Sequence, residues 1–270
     1  MTAYPALQAA TRELYEAAKH QQYTKAVAKI RKKLEKGMKA AFQKQKKIFL
    51  GKFTGLRSYF AEASQSNVPW DTIFAAMTEA TREQILEEIS DAAAKGLTLG
   101  GVQAIKDLGI DLKFDLKNTK AVAFMDQYGL DYVKGIDETT RDGLRDLMTE
   151  SISEGWSYTD TAKAIAEMFD KFSDWRARLI AITETGHAYS EGTLITAQIM
   201  QEAGLQMQKS WLTAGDDDVE EDCRENEEAE WIDIDDEFPS GDDRPLAHPN
   251  CRCVLLTRRA GSGDDEEEEG

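Results

Sequence analysis

The sequence of 270 residues has little of what stabilises small secreted proteins or spans membranes. It contains 3 cysteines and 5 prolines, and no apolar run approaches the roughly 18 residues of a membrane-spanning helix. The start, MTAYPALQAATREL, lacks the apolar stretch of a signal peptide. So few cysteines argue against a disulfide framework and leave buried thiols, a metal site or a reactive thiol. We therefore expect a protein of the cytoplasm with no membrane partner.

Charge varies strongly along the chain. Residues 216–270 contain 22 acidic and 5 basic residues, which account for the whole formal net charge of −17. Residues 1–215 contain 28 residues of each sign. Within them, residues 19–52 contain 12 lysines or arginines and a single acid, Glu35. The chain is therefore basic near its beginning and acidic near its end.

Helical periodicity dominates the chain as far as Gly204. Apolar residues recur at helical spacing, and Ser, Asn, Asp and Gly stand where helices begin or end. The pattern predicts helices over 6–61, from Asp71 to Gly96, from Asn118 to Gly129, from Asp137 to Gly155, from Ser157 or Thr159 through Phe169, and from Asp174 to about Ala203. It also predicts a turn around Gly96, Gly100 and Gly101, a break at Ser64–Pro69, and a connector at Leu112–Leu116.

After Gly204 the pattern changes to short strands. Residues from Met207 to Thr213 and from Arg252 to Arg258 are predicted strands, and the long acidic loop between them needs something to hold it down. The fold class predicted is mainly α: a helical N-terminal region followed by a small α+β C-terminal module with a long acidic loop. Residues 259–270 form a low-complexity acidic tail that we expect to be disordered.

Four side chains in this module are candidate metal ligands. Cys223, His248, Cys251 and Cys253 form a Cys₃His set, and thiolates with an imidazole are ligands that Zn²⁺ prefers. The two closely spaced cysteines can share a site only if the backbone between them bends, and their spacing differs from the usual C-x-x-C knuckle. The alternative is that Cys253 is a core residue and Cys223 an exposed thiol.

Catalytic motifs are absent from the sequence. There is no Walker A loop, no GxGxxG and no His-Glu-x-x-His. His248 is followed by Pro249 and Asn250, so the His-x-Glu and Pro-Cys-x-x-Cys of zinc deaminases are missing as well. No spacing identifies a nucleophilic cysteine with its base. We therefore expect no enzymatic activity.

Two charged segments remain. Glu184 lies in an apolar stretch of the last predicted helix, where Arg178 or Arg176 can pair with it and brace that helix. The basic arm, residues 19–52, can contact phosphates or an acidic protein, or it can be a solvated face. Its candidate partner-binding residues are Lys25, Lys29, Arg31, Lys32, Lys33 and Lys36. The spacing of Phe42, Phe49 and Phe53 indicates helix packing and not base stacking.

Several blocks after Asp115 occur in a specific order. They are DLKNTKAVAFMDQYGLDYVKGIDETTRDGLRDLM, RARLIAITETGHAYSEG, KSWLTAGDDD and FPSGDDRPLAHPNCRCVLL, with HPNCRC as the most diagnostic piece. Together these blocks, from Asp115 to Leu256, resemble the phage head morphogenesis family, the Mu-F-like minor head proteins. Members often carry a Cys-x-x-Cys after the Trp block, whereas this chain has Glu220 at the first position and keeps Cys223.

The resemblance implies a structural minor head protein of a tailed phage. Such proteins enter the procapsid near the portal, so it implies contact with portal, scaffolding or major capsid protein and a place in the virion after assembly in the host cytoplasm. The predicted regions are 1–114, helical with the basic arm; 115–258, Mu-F-like; and 259–270, the tail. In the module, zinc would staple the four ligands and Trp211 would pack nearby. The basic arm of such a head protein can dock on an acidic portal or scaffolding surface or touch packaged DNA. The alternatives are a nucleic-acid-binding protein acting through the basic arm, and a zinc-dependent hydrolase or toxin.

Overall fold

The structure of the chain, a computed structural model, describes residues 4–55 and 70–261. Within these ranges it describes every side chain except those of residues 4–24, 127–134 and 152. Five helices and three strands lie in these residues. In chain order they are α1 (Tyr4–Thr54), α2 (Trp70–Asp107), α3 (Thr119–Ser153), α4 (Tyr158–Glu202), β1 (Met207–Leu212), α5 (Glu221–Glu228), β2 (Ile232–Asp233) and β3 (Val254–Arg259). The mainly α class with a small C-terminal α+β module is confirmed. The predicted break at Ser64–Pro69 and nearly all of the acidic tail lie outside the described residues.

The four long helices bury two connected apolar cores. One core joins the middle of α1, around Met38, to α2, α3 and α4. The other lies towards the end of α1, where Phe49 and Phe53 pack with residues of α2, α3 and α4. Phe42, Phe49 and Phe53 are all buried, as their helical spacing predicts. The helices of the predicted N-terminal region thus share their core with the helices that follow. No helix among the described residues combines the length and apolarity needed to cross a membrane.

Helices α2 and α4 cross at very short range. A Cβ atom on Gly100 of α2 would overlap the backbone carbonyl of Tyr189 on α4, and one on Gly192 of α4 would overlap the carbonyl of Leu97 on α2. The turn predicted around Gly96, Gly100 and Gly101 is therefore wrong, because α2 continues through all three glycines. Because glycine has no side chain, the backbones of α2 and α4 can approach closely here, and the glycines do not end the helix.

Helices α3 and α4 are each longer than predicted. The expected stop at Gly129 and the expected cap at Asp137 are wrong, because α3 runs without interruption from Thr119 to Ser153. Likewise α4 continues through Asp174, where a new helix was expected. In both cases burial against neighbouring helices outweighs a local stop signal.

Other local signals are confirmed. The side chain of Asn118 accepts a hydrogen bond from the backbone N–H of Ala121 at 2.7 Å, and Ser157 accepts one from Asp160 at 3.1 Å, so both residues cap the helices that follow them. Gly204, with φ of +94°, follows the end of α4. The predicted connector at Leu112–Leu116 is confirmed, because these residues form neither a helix nor a strand.

The C-terminal module is a three-stranded antiparallel sheet with strand order β2-β1-β3. Trp211 on the central strand, β1, pairs with Leu255 on β3. The sheet packs on the last turns of α4, where Leu194, Ala197 and Met200 are buried in the same core as Trp211. Both predicted strands are confirmed, and the loop between them contains two elements that the sequence did not indicate, α5 and β2.

The close crossing predicts opposite effects for two Gly→Ala changes. Gly100→Ala should destabilise the protein by about 2 kcal/mol or more, because the added methyl group meets backbone that cannot move aside. Gly51→Ala, on α1 with nothing near its Cβ position, should stabilise by about 0.5–1 kcal/mol through helix propensity. Urea unfolding of both variants measures this. A Gly100→Ala protein as stable as the parent would contradict the crossing.

Candidate metal centre

Three buried cysteines meet where α5 faces the start of β3. Cys223 lies in the first turn of α5, and Cys251 and Cys253 lie in the extended residues just before β3. The chain turns at Asn250, whose φ is +68°, and the N–H of Cys251 donates to the carbonyl of His248 at 3.1 Å. The sulfur atoms of both cysteines thus reach one site with that of Cys223, as the metal hypothesis requires.

The ligand atoms are close together. The sulfur atoms of Cys223, Cys251 and Cys253 all lie within 4.8 Å of one another, and those of Cys223 and Cys251 are 3.7 Å apart. His248 reaches this group at Cys223, with its Nε2 atom 3.4 Å from the sulfur. The exposed thiol that was the alternative for Cys223 is wrong, because this residue is completely buried.

The electrostatics of the site disfavour free thiolates. Burial, together with the neighbouring Cys253, raises the pKa of the Cys223 thiol to about 12. The pKa of Cys253 is also raised, first by its hydrogen bond with Cys251 and then by burial. Without a cation these thiols stay protonated at neutral pH. A divalent cation would reverse this preference, because it stabilises the deprotonated form of each thiol.

Two of the ligand separations match those expected around a tetrahedral zinc ion. Ligands at the usual Zn–S distance of about 2.3 Å and Zn–N distance of about 2.0–2.1 Å would place two sulfurs about 3.8 Å apart and a sulfur and a nitrogen about 3.6 Å apart. The separations between Cys223 and Cys251 and between Cys223 and His248 are close to these values. The residues present therefore suit a closed structural site.

We next compared the chain with known proteins. Residues 142–256 match the family described as Phage Mu protein F like protein. The resemblance to the Mu-F-like proteins is thus confirmed over this range, and it suggests a protein of the phage head. No curated protein matches the chain, and no solved structure does. The Mu-F-like region begins within α3, contains α4, β1, α5, β2 and all four candidate ligands, and ends within β3.

Other contacts in the Mu-F-like region anchor the acidic loop. Trp211 packs beside Cys253 and makes an edge-on ring contact with Phe238, with centroids 5.1 Å apart. Glu227 on α5 accepts two hydrogen bonds from Thr213 after β1, at 2.8 and 3.0 Å. These partners are 14 residues apart, and no local pattern in so acidic a segment pointed to them.

Arginines supply further anchors for the loop. Arg252 pairs with Asp216 at 2.6 Å and with Asp218 at 3.3 Å, and Arg244 pairs with Glu191 of α4 at 2.6 Å. The arginines of this acidic segment thus bind its carboxylates to one another and to the helix beneath. Sequence analysis singled out none of these pairs.

The brace between α3 and α4 is formed by Arg176. Its buried guanidinium donates to the hydroxyl of Thr140 and the carbonyl of Ile136, both at 2.7 Å. Burial lowers its pKa to about 10, so it remains charged. Arg178, the arginine expected with Glu184 to brace the helix, is exposed and lines a groove with the basic face of α1. Glu184 is buried, and its pairing with either arginine stays a prediction.

The basic arm presents its charges on the outer face of α1. Five of the candidate residues are exposed and Arg31 is half-buried. Lys33 is paired with Asp91 of α2 at 2.8 Å, which partly neutralises it. Arg31, Lys32 and Lys36 line the open groove of about 630 Å³ that also contains Arg178. The face is therefore cationic over the middle of α1, next to the middle of α4.

The two arginines of α4 give a matched prediction. Arg176→Met should destabilise the protein by about 1–3 kcal/mol, because it removes the donor of two buried hydrogen bonds, to the Thr140 hydroxyl and the Ile136 carbonyl. Arg178→Met should change stability by no more than about 0.5 kcal/mol, as expected for an exposed residue. Chemical denaturation followed by circular dichroism compares them. Equal losses in the two variants would argue against the assigned brace.

Proposed function

We propose that this protein is a structural minor component of a tailed-phage head, incorporated into the procapsid near the portal and acting in head morphogenesis. The observation that carries the proposal is the family match over residues 142–256, which spans most of the C-terminal module together with the helix on which it rests. The role in assembly, the virion as the final location and a role in DNA packaging or ejection follow from that likeness.

We further propose that the C-terminal module is closed by a structural Zn²⁺ held by Cys223, His248, Cys251 and Cys253. Three buried thiols whose sulfurs lie within 4.8 Å of one another, and the Nε2 atom of His248 at 3.4 Å from the sulfur of Cys223, support this assignment. When bound, the ion would supply charge that stabilises thiolates and would tie α5 to the start of β3. Four protein ligands leave no open position for substrate water, which supports a structural role over a hydrolytic one.

The zinc proposal predicts that about one zinc per chain is present in purified protein, by elemental analysis. Cys251→Ser should lose the metal and open the region after Gly204 first, because α5 and β3 are then no longer tied together. Val254→Ala is the matched control: it removes a buried side chain next to the cluster but no ligand. It should keep the zinc.

Elemental analysis and limited proteolysis with mass mapping measure both effects. A metal-free chain that is fully folded would contradict the proposed staple.

The cationic face of α1 is the proposed contact surface for other head proteins. Lys25, Lys29, Lys32 and Lys36 are exposed along one helix, and such a face attracts acidic surfaces of a portal, scaffolding or major capsid protein. The same cations could neutralise phosphates of packaged DNA, which would make that binding steeply dependent on salt. This second candidate function rests on the same exposed face.

Co-assembly tests the head role directly. The chain should enter purified procapsids when co-expressed with its cognate portal, scaffolding and capsid proteins, and incorporation should be lost when the portal is omitted, as quantitative mass spectrometry can measure. Lys32→Glu with Lys36→Glu should reduce incorporation, whereas Lys113→Glu with Lys117→Glu, an equal charge change at exposed sites outside the arm, should not.

Absence of the parent chain from particles despite good expression would overturn the structural role. Salt-sensitive DNA affinity that the Lys32→Glu and Lys36→Glu pair removes would then favour the nucleic-acid alternative.

A further inference from the structure

The side chain of Glu220 makes an unexpected contact for its position. Glu220 is the N-cap residue of α5, yet its carboxylate forms no hydrogen bond with that helix. It reaches across to the loop before β3, where its Oε1 atom is 3.2 Å from Nδ1 of His248. Because Cys223 lies three residues further along, the same helical turn places a carboxylate on one side of the imidazole and a thiol on the other.

The surroundings of the imidazole determine which of its nitrogens carries hydrogen. Nδ1 of His248 faces two oxygen acceptors, the carboxylate of Glu220 at 3.2 Å and the backbone carbonyl of Pro249 at 3.1 Å. A nitrogen facing two acceptors is the one that is protonated in a neutral imidazole. Nε2 is then the nitrogen with a free lone pair, and it is the atom that points at Cys223.

We infer that Glu220 is a positioning residue of the metal site, which holds His248 in the Nδ1–H form with Nε2 directed at the ion. This inference rests on the proposed zinc site and adds its carboxylate partner. A carboxylate that accepts a hydrogen bond from a ligating histidine fixes the ring and increases the basicity of the ligating nitrogen. With the ion bound, Glu220 would hold the imidazole of His248, and His248 and the three thiolates would hold the metal.

If Glu220 and His248 formed only a surface ion pair, removing the carboxylate would change neither the metal affinity nor the metal-free stability. The side chain of Glu220 is 62% exposed and that of His248 is 19% exposed, and an exposed pair contributes little to folding. Removing the carboxylate should therefore leave the metal-free protein as stable as before. An effect on metal affinity, without an effect on metal-free stability, is the signature of a positioning role.

The test uses Glu220→Gln and Glu220→Ala in the full chain. Zinc affinity, from competition with a chromophoric chelator, should fall about 10- to 100-fold in Glu220→Ala, and less in Glu220→Gln, which keeps an acceptor oxygen. The matched control is Asp222→Asn, which removes one negative charge from the same exposed first turn of α5. It should bind zinc like the parent, so a loss there would mean that charge alone matters.

Co²⁺ substitution gives a second readout. The parent should show the intense visible absorption of tetrahedral cobalt, and Glu220→Ala should show a weakened or altered spectrum at equal cobalt. If the parent binds one zinc and Glu220→Ala binds it equally tightly, the positioning role is overturned while the zinc site stands. If the parent binds no zinc, both are overturned.

Discussion

The close contact between α2 and α4 is the constraint on which the rest of the molecule depends. Gly100 and Gly192 allow the two backbones to approach until no methyl group fits between them. Packed in this way, α4 is buried along most of its length. Its first half contributes to the helical cores with α1 and α3, and its last turns form the floor of the sheet. One helix thus connects the bundle to the module that carries the candidate metal ligands.

The module has a different physical problem from the bundle. Residues 216–270 carry the whole net negative charge of the chain, so hydrophobic burial alone has little material with which to fold the loop. Burial of Ile234, Phe238 and Leu246 in the core of the module is therefore supplemented by specific contacts: Arg252 with its two aspartates, Arg244 with Glu191, and the buried thiols. A cation bound by the thiols would complete this set, because it would replace their protons and link α5 to the start of β3.

Local sequence signals predicted those parts of the fold that local chemistry decides. Ser157 and Asn118 cap helices, the two strands of the module lie where expected, and the clustering of Cys223 with Cys251 pointed to the thiol site. Glycine was misleading in α2, because whether Gly100 ends a helix or admits a neighbouring one depends on a helix about 90 residues away.

The role of Arg176 was equally hidden, since its hydrogen-bond partner Thr140 lies 36 residues earlier in the chain. Contacts of this kind become visible only after the chain has folded.

The central claim of this account is that the module carried by α4 is closed by a metal at the thiol cluster. X-ray absorption at the zinc edge of the purified protein tests it most directly. We predict three sulfur ligands at about 2.3 Å and one nitrogen at about 2.0–2.1 Å. A shell of oxygen and nitrogen alone, or no bound zinc, would contradict it.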